Sequence, residues 1–264
     1  MNLIRARFFH GVFVVWTALV SLLTVPVLLG PQRWVLGVQL FWARGALWLM
    51  RHIAGVSHEI RGRERVPDGM KLIASKHQSA WDTIIFLLDR PAPAFVLKKE
   101  LLSIPVYGWY CIRTGMVPID RAGGSKALRE MIREARDRMD AGRPLVIFPE
   151  GTRVPPDDYK PLQPGVAGLY RQLNVPVVPV ALNSGLVWPK SGFVGTDRRI
   201  VLEYLDPIPP GLPKKEFMER LQTALDEATD RLMAEGRAEH HASLSAPADT
   251  VENPHVNNGD NSSL

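Results

Sequence analysis

The sequence holds one cysteine, Cys111, in 264 residues. An intrachain disulfide is therefore excluded, and a reducing compartment is the natural setting. No Cys/His cluster has the spacing of a zinc site, and His240-His241 sits in a polar stretch where a solvated pair is expected. Neither a metal nor a cofactor is called for. No Lys/Arg stripe with interleaved aromatics is present, and no zinc-finger or RNP pattern, so nucleic acid is a poor partner for the net charge of +5. An anionic membrane surface or a phosphorylated substrate suits that charge better. A serine hydrolase is disfavoured because no Gly-x-Ser-x-Gly elbow occurs.

One further absence is local. From Phe8 to Leu29 there is no Asp, Glu, Lys or Arg. That length exceeds the roughly 20 apolar residues that cross a bilayer core. Pro26 and Gly30-Pro31 mark a turn, and a second apolar stretch runs from Trp34 to Ile53. It carries Gln39 and, near its middle, Arg44, whose charge costs at least a few kcal/mol at a bilayer centre. The second stretch is thus expected to be interfacial, re-entrant or packed on the soluble domain, with Trp34, Trp42 and Trp48 in an interfacial setting. A cleaved leader is the alternative for the first stretch, but its apolar core is long and no Ala-x-Ala site follows. Residues 1–54 read as a membrane-anchoring helical hairpin. Arg5 and Arg7 before it, with Arg61, Arg63 and Arg65 after it, place both ends on the cytoplasmic side of the inner membrane.

What is present centres on Lys71 to Leu88. Leu72 to Ala74 reads as a buried strand and Thr83 to Leu88 as a buried helix, with Ser79 as its N-cap. The polar corner between them holds His77 and Asp82. Ligands of open α/β sheets sit at the carboxyl ends of strands. His77 can serve as a base near neutral pH. Asp82, about one helical turn on, can fix the tautomer of the imidazole and leave its other nitrogen free for a proton. Alone, the His-x-x-x-x-Asp spacing is weak, because a lone His is more often structural.

Further along, strands and helices alternate: strands at Val56–Arg61, Ala94–Leu97, Gly115–Arg121, Leu145–Phe148, Val175–Leu182 and Arg199–Leu205. Ile104-Pro105, Gly108 and Trp109 read as a loop-rich apolar region. Pro176 and Pro179 assign the Val175–Leu182 strand to an edge or a bulge. Ser125 to Met139 is an amphipathic helix, capped by Ser125 and with Leu128, Ile132, Ala135 and Met139 on its apolar face. Gly165–Leu173 is a short helix, and Lys214–Met233 a second long one. Residues 237–264 lose all periodicity and read as a disordered polar tail. An α/β layered domain over 55–236, with a central mostly parallel sheet, follows from this order.

Three polar corners stand at strand ends: His77/Asp82, Asp120-Arg121, and Glu150-Gly151-Thr152-Arg153. Arginines hold phosphate with forked hydrogen bonds, and glycine admits close backbone approach to a ligand. Together these blocks resemble the glycerolipid acyltransferase family, in particular its members that acylate lysophosphatidic acid. His77-Gln-Ser-Ala-Trp-Asp82 looks like the catalytic H-x-x-x-x-D block. Gly115-Met-Val-Pro-Ile-Asp-Arg121 resembles the second block, Phe148-Pro-Glu-Gly-Thr-Arg153 matches the third closely, and Val177-Val-Pro-Val180 resembles the fourth. Two departures stand out: Gln163-Pro164 where many relatives carry a basic residue before the following glycine, and Pro118 where many have Phe.

The resemblance implies an acyltransferase domain behind the N-terminal hairpin. It also implies acyl transfer from acyl-CoA or acyl carrier protein to the sn-2 hydroxyl of lysophosphatidic acid, giving phosphatidic acid. His77 would be the base and Asp82 its orienter. Arg121, Glu150, Gly151, Thr152 and Arg153 would form the phosphate site, Glu150 by orienting Arg121 or Arg153. Pro179 would be structural or at the acyl site. Another acceptor, such as a lyso-ornithine lipid or glycerol 3-phosphate, and a non-catalytic lipid-binding protein are the competing readings.

Overall fold

Two helices open the chain, α1 (Asn2–Leu23) and α2 (Gln32–Ala54), joined by one short 3-10 turn, Val25–Leu29. The computed structural model describes residues 2–245. The apolar runs form the expected helical hairpin, closed by Trp16 Nε1 donating to the Trp42 carbonyl at 3.1 Å and by Trp42 Nε1 donating to Thr17 Oγ1 at 3.1 Å. α2 ends at Gly55, which adopts φ 70° and returns its N–H to Met50 O. Glycine meets that left-handed conformation without strain.

Only Leu3–Leu23 is long and apolar enough to cross a membrane among the described helices. α2 instead buries Val35, Ala43, Ala46, Leu49, Met50 and Ala54, while Arg44 stays at the surface. The second stretch is thus packed on the domain, one of the three outcomes its arginine allowed. The hairpin also presents apolar side chains outward: Ile4, Phe8, Leu22, Leu23, Leu29, Trp34, Phe41 and Trp48 are each more than half exposed.

The domain is built from β1 (Ser57–Arg61), β2 (Leu72–Ser75), α3 (Trp81–Asp89), β3 (Ala94–Lys98), α4 (Tyr107–Arg113), β4 (Val117–Ile119), α5 (Gly124–Asp140), β5 (Leu145–Ile147), α6 (Pro164–Leu173), β6 (Val177–Leu182), α7 (Ser184–Val187), β7 (Arg199–Tyr204) and α8 (Lys214–Ser245). The seven strands form one sheet in the order β1-β7-β6-β2-β5-β3-β4. Every neighbouring pair is parallel except β6 and β7.

Alternating side chains divide the core between the two faces of the sheet, as the pleat requires. Ile73, Phe95, Val146, Val178 and Val180 face α1, α2 and α3. Leu72, Ala74, Leu145, Ile147 and Val177 face α5, α6 and α8. Helices cover both faces, so the strands are apolar throughout rather than alternating. Trp81, Ile84, Ile85 and Phe86 of α3 are at most 2% exposed. Each contributes about 1.5–3 kcal/mol of burial, which fixes the helix that carries Asp82.

Several local expectations are corrected. β6 lies between β7 and β2, inside the sheet, so of the two placements its prolines allowed, edge or bulge, the bulge is the one that holds. Pro179 is tolerated there because the ladder is bulged at that point: Val180 opposes Tyr204, yet Val177 opposes Ile208, one residue further than an unbroken register gives. The loop-rich region of Ile104-Pro105, Gly108 and Trp109 runs into a helix, with Gly108 and Trp109 inside α4. α5 begins at Gly124 with no side-chain cap from Ser125, and its fully buried line is Ala127, Met131, Ala135 and Met139.

α8 continues through Gly236 to Ser245, so the polar tail does not begin at 237. Beyond Gly236 the helix is held by polar pairs rather than apolar ones: Glu239 with Arg199, and His240 Nε2 with Arg198 Nη2 at 2.7 Å. A hydrophobic period cannot reveal contacts of that kind. Residues 246–264 of the expected tail lie outside the described residues.

Candidate active site

β2 ends at Ser75, and the chain turns sharply before α3 begins at Trp81. His77 stands in this corner with its side chain 14% exposed, while Asp82 is fully buried in the first turn of α3. His77 Nδ1 lies 2.9 Å from Asp82 Oδ2. That same oxygen accepts the backbone N–H groups of Gln78 at 2.7 Å and Ser79 at 2.8 Å. Oδ1 accepts the Ser184 hydroxyl at 2.5 Å. A helix N-terminus favours a carboxylate in its first turn. Ser79 does not occupy the cap position, which falls to Ala80; its Oγ accepts the Trp81 N–H from one residue earlier, at 3.2 Å.

With Nδ1 committed to Asp82, Nε2 of His77 makes no hydrogen bond among the described residues. The ring lies on Phe148, 4.0 Å between centroids and 19° from parallel. Asp82 thus fixes tautomer and direction, Phe148 fixes the ring plane, and Nε2 is left without a protein partner among the described residues, an arrangement that can take up a proton.

The third block begins where β5 ends. Gly151 adopts φ 74°, and a Cβ there would stand 3.2 Å from both Arg121 Nη2 and Gln163 Cγ. Arg121 Nη2 donates to the Gly151 carbonyl, which joins the second block to the third. Arg153 makes no hydrogen bond or ion pair among the described residues, and neither does Thr152. Two guanidinium groups and a free hydroxyl thus border the corner, with Arg153 unsatisfied by protein. Lys160 makes no ion pair among the described residues. Gln163 instead anchors the segment through its N–H, donated to Pro149 O at 2.7 Å.

Glu150 is the correction within this block. It orients neither arginine. Fully buried, it accepts Lys76 Nζ on Oε1 at 2.6 Å and the His77 N–H on Oε2 at 3.3 Å. Lys76 Nζ also donates to Asp226 Oδ1 of α8 at 2.8 Å. A buried carboxylate needs a buried cation, and Lys76, 4% exposed, supplies it, whereas Arg121 is exposed and Arg153 half-buried. Burial opposes the Lys76 charge, but Glu150 and Asp226 outweigh it and raise its pKa. Pro179 is buried in β6 opposite Ala74, one strand from the corner.

Sequence reasoning missed Lys76, Ser184, Phe148 and Asp226. A lysine closing an apolar strand beside a catalytic block was a legible sign of a buried ion pair. Ser184 and Asp226 lie 102 residues from Asp82 and 150 from Lys76, and nothing local announces them.

Residues 57–183 match the family model described as Acyltransferase. The fold and the matched region define an acyltransferase. The 1-acyl-sn-glycerol-3-phosphate acyltransferase of Pseudomonas aeruginosa is 36% identical over 179 residues, covering 68% of this chain and 69% of that one. The protein of the same name from Helicobacter pylori is 31% identical over 60% of this chain and 68% of its own. The crystal structure of the 1-acyl-sn-glycerophosphate (LPA) acyltransferase PlsC from Thermotoga maritima superposes with a TM-score of 0.72 at 22% identity, over 89% of this chain and 98% of that one, and shares the fold. The chain belongs to the family of 1-acyl-sn-glycerol-3-phosphate acyltransferases.

Proposed function

We propose that this enzyme moves a fatty acyl group from a thioester, acyl-CoA or acyl carrier protein, to the sn-2 hydroxyl of lysophosphatidic acid, forming phosphatidic acid. The observation that carries the reading is the 2.9 Å His77–Asp82 pair with Nε2 left open. Nε2 takes the hydroxyl proton as the oxygen attacks the thioester carbonyl. The carbon–sulfur bond then breaks, and the sulfur leaves as a thiol with the proton held on His77. Asp82 stabilises the imidazolium that forms between these steps. No acyl-enzyme is needed, because the acceptor supplies the nucleophile.

Arg121, Gly151, Thr152 and Arg153 receive the acceptor's phosphate: the guanidinium groups by forked hydrogen bonds, Thr152 by its hydroxyl, and Gly151 by keeping the approach clear. Glu150 serves the base side, and Pro179 shapes the strand beneath it. Residues 1–54 anchor the domain. Their outward apolar side chains and the apolar length of α1 support a seat in the cytoplasmic (inner) membrane, with the catalytic domain on the cytoplasmic side next to the Arg61–Arg65 segment.

An acceptor panel tests the reading. Lysophosphatidic acid, glycerol 3-phosphate and a lyso-ornithine lipid are offered to membranes carrying the enzyme, with each thioester donor. Phosphatidic acid as the dominant product is expected. Turnover of only a phosphate-free acceptor would reject the phosphate assignment.

A further inference from the structure

The main chain of His77 is held from both sides by the loop that carries Arg153. Its N–H donates to Glu150 Oε2 at 3.3 Å, and its carbonyl accepts the Val154 N–H at 2.7 Å. Base and phosphate loop are therefore one unit, and that unit rests on α8. Asp226 binds Lys76 at 2.8 Å, and Lys76 binds Glu150 at 2.6 Å. Gln222 Nε2 donates to Asp226 Oδ2 at 2.6 Å, while Gln222 Oε1 accepts the Leu162 N–H at 3.2 Å. Asp230 accepts the Tyr159 hydroxyl at 2.9 Å, and Arg237 pairs with Asp157. Gln222, Asp226, Asp230 and Arg237 of α8 thus hold Leu162, Tyr159 and Asp157 directly and Glu150 through Lys76. None of them lies in the region matched by the family model, residues 57–183.

We propose that α8 is the support of the active-site loop, and that Lys76 and Asp226 are positioning residues for acyl transfer. Lys76 transmits the hold. It precedes His77 directly, its N–H donates to Val180 O at 3.0 Å, and its ammonium fixes the carboxylate that receives the His77 amide. Asp226 fixes that ammonium in turn. Loss of either anchor lets His77 and Arg153 shift relative to each other, and a displacement near 1 Å can cost about 10²-fold in rate.

The inference rests on the acyl-transfer reading, so its test has a second readout that needs no substrate. Asp226→Ala removes the outer anchor without touching the corner. Lys76→Met alone strands Glu150 as a buried charge and can fail to fold, so it is combined with Glu150→Gln, whose carbonyl still accepts the His77 amide. On full-length enzyme in membranes or detergent, both variants are expected to lose about tenfold or more in kcat per folded molecule. KM for lysophosphatidic acid is expected to change far less for Asp226→Ala. Hydrogen exchange should quicken in peptides spanning 76–82 and 148–158 and stay unchanged in 57–61.

A support that is only structural would lower the melting temperature and the folded yield while leaving kcat per folded molecule intact. Either that pattern, or exchange at 76–82 equal to wild type, overturns the proposal. A wrong acceptor would show differently: wild type without turnover, with the exchange change still present.

Discussion

Asp82 and Arg153 belong to the same corner and are treated in opposite ways. Asp82 is fully buried and receives four donors, from His77, Gln78, Ser79 and Ser184. Arg153 makes no hydrogen bond or ion pair among the described residues. On the proposed base side the carboxylate has its donors in place, a geometry that would need no reorganisation at the moment of reaction. On the proposed acceptor side Arg153 makes no ion pair among the described residues, so a phosphate entering there would displace no protein carboxylate. If one side serves rate and the other capture, as proposed, substitutions on the two sides should separate kcat from KM.

The largest effect belongs to the base side. Asp82→Asn keeps the shape but removes the charge that orients His77, and kcat should fall by about 10²-fold or more. Steady-state kinetics at saturating acceptor is the check, and a loss below tenfold would mean the carboxylate only braces the loop. Arg153→Ala comes next. Charge-assisted bonds to phosphate contribute about 1.5–3 kcal/mol, so KM for the acceptor should rise about 10- to 100-fold, with the melting temperature nearly unchanged because no protein hydrogen bond or ion pair is lost. A fall in melting temperature with constant KM would assign Arg153 to structure.

Gly151→Ala sharpens the division. It forces a side chain into φ 74° beside Arg121 and Gln163. The strain is about 1–2 kcal/mol, and the acceptor KM should respond more than kcat. Ser184→Ala has the smallest effect on activity. It removes one of Asp82's four donors, a hydrogen bond to a charged group contributing about 1.5–3 kcal/mol to stability, visible in a denaturant titration, with kcat down only severalfold.

The two sides also differ in how openly the sequence declares them. The meeting of His77 with Asp82, and of Arg121 with the Glu150–Arg153 block, was legible because each block is contiguous and ends a recognisable apolar strand. The sheet and its mostly parallel order followed from the alternation of strand and helix. The support beneath was not legible. Glu150 sits in the most specific block, yet its partner is decided by burial, which pairs it with Lys76 rather than an arginine. Asp226 and Ser184 depend on folding across more than a hundred residues. Pro179 left an edge and a bulge open, and the register slip between Tyr204 and Ile208 that decides for the bulge is a property of the neighbouring strand. α8 beyond Gly236 is held by charges instead of an apolar stripe, so periodicity ended before the helix did.

The most direct test of the account is the rate of phosphatidic acid formation by wild type and His77→Ala, with saturating lysophosphatidic acid and a thioester donor. The open Nε2 predicts a loss of at least about 10²-fold in kcat with the acceptor KM little changed. Equal rates in the two proteins would contradict the account and leave His77 as a structural histidine stacked on Phe148.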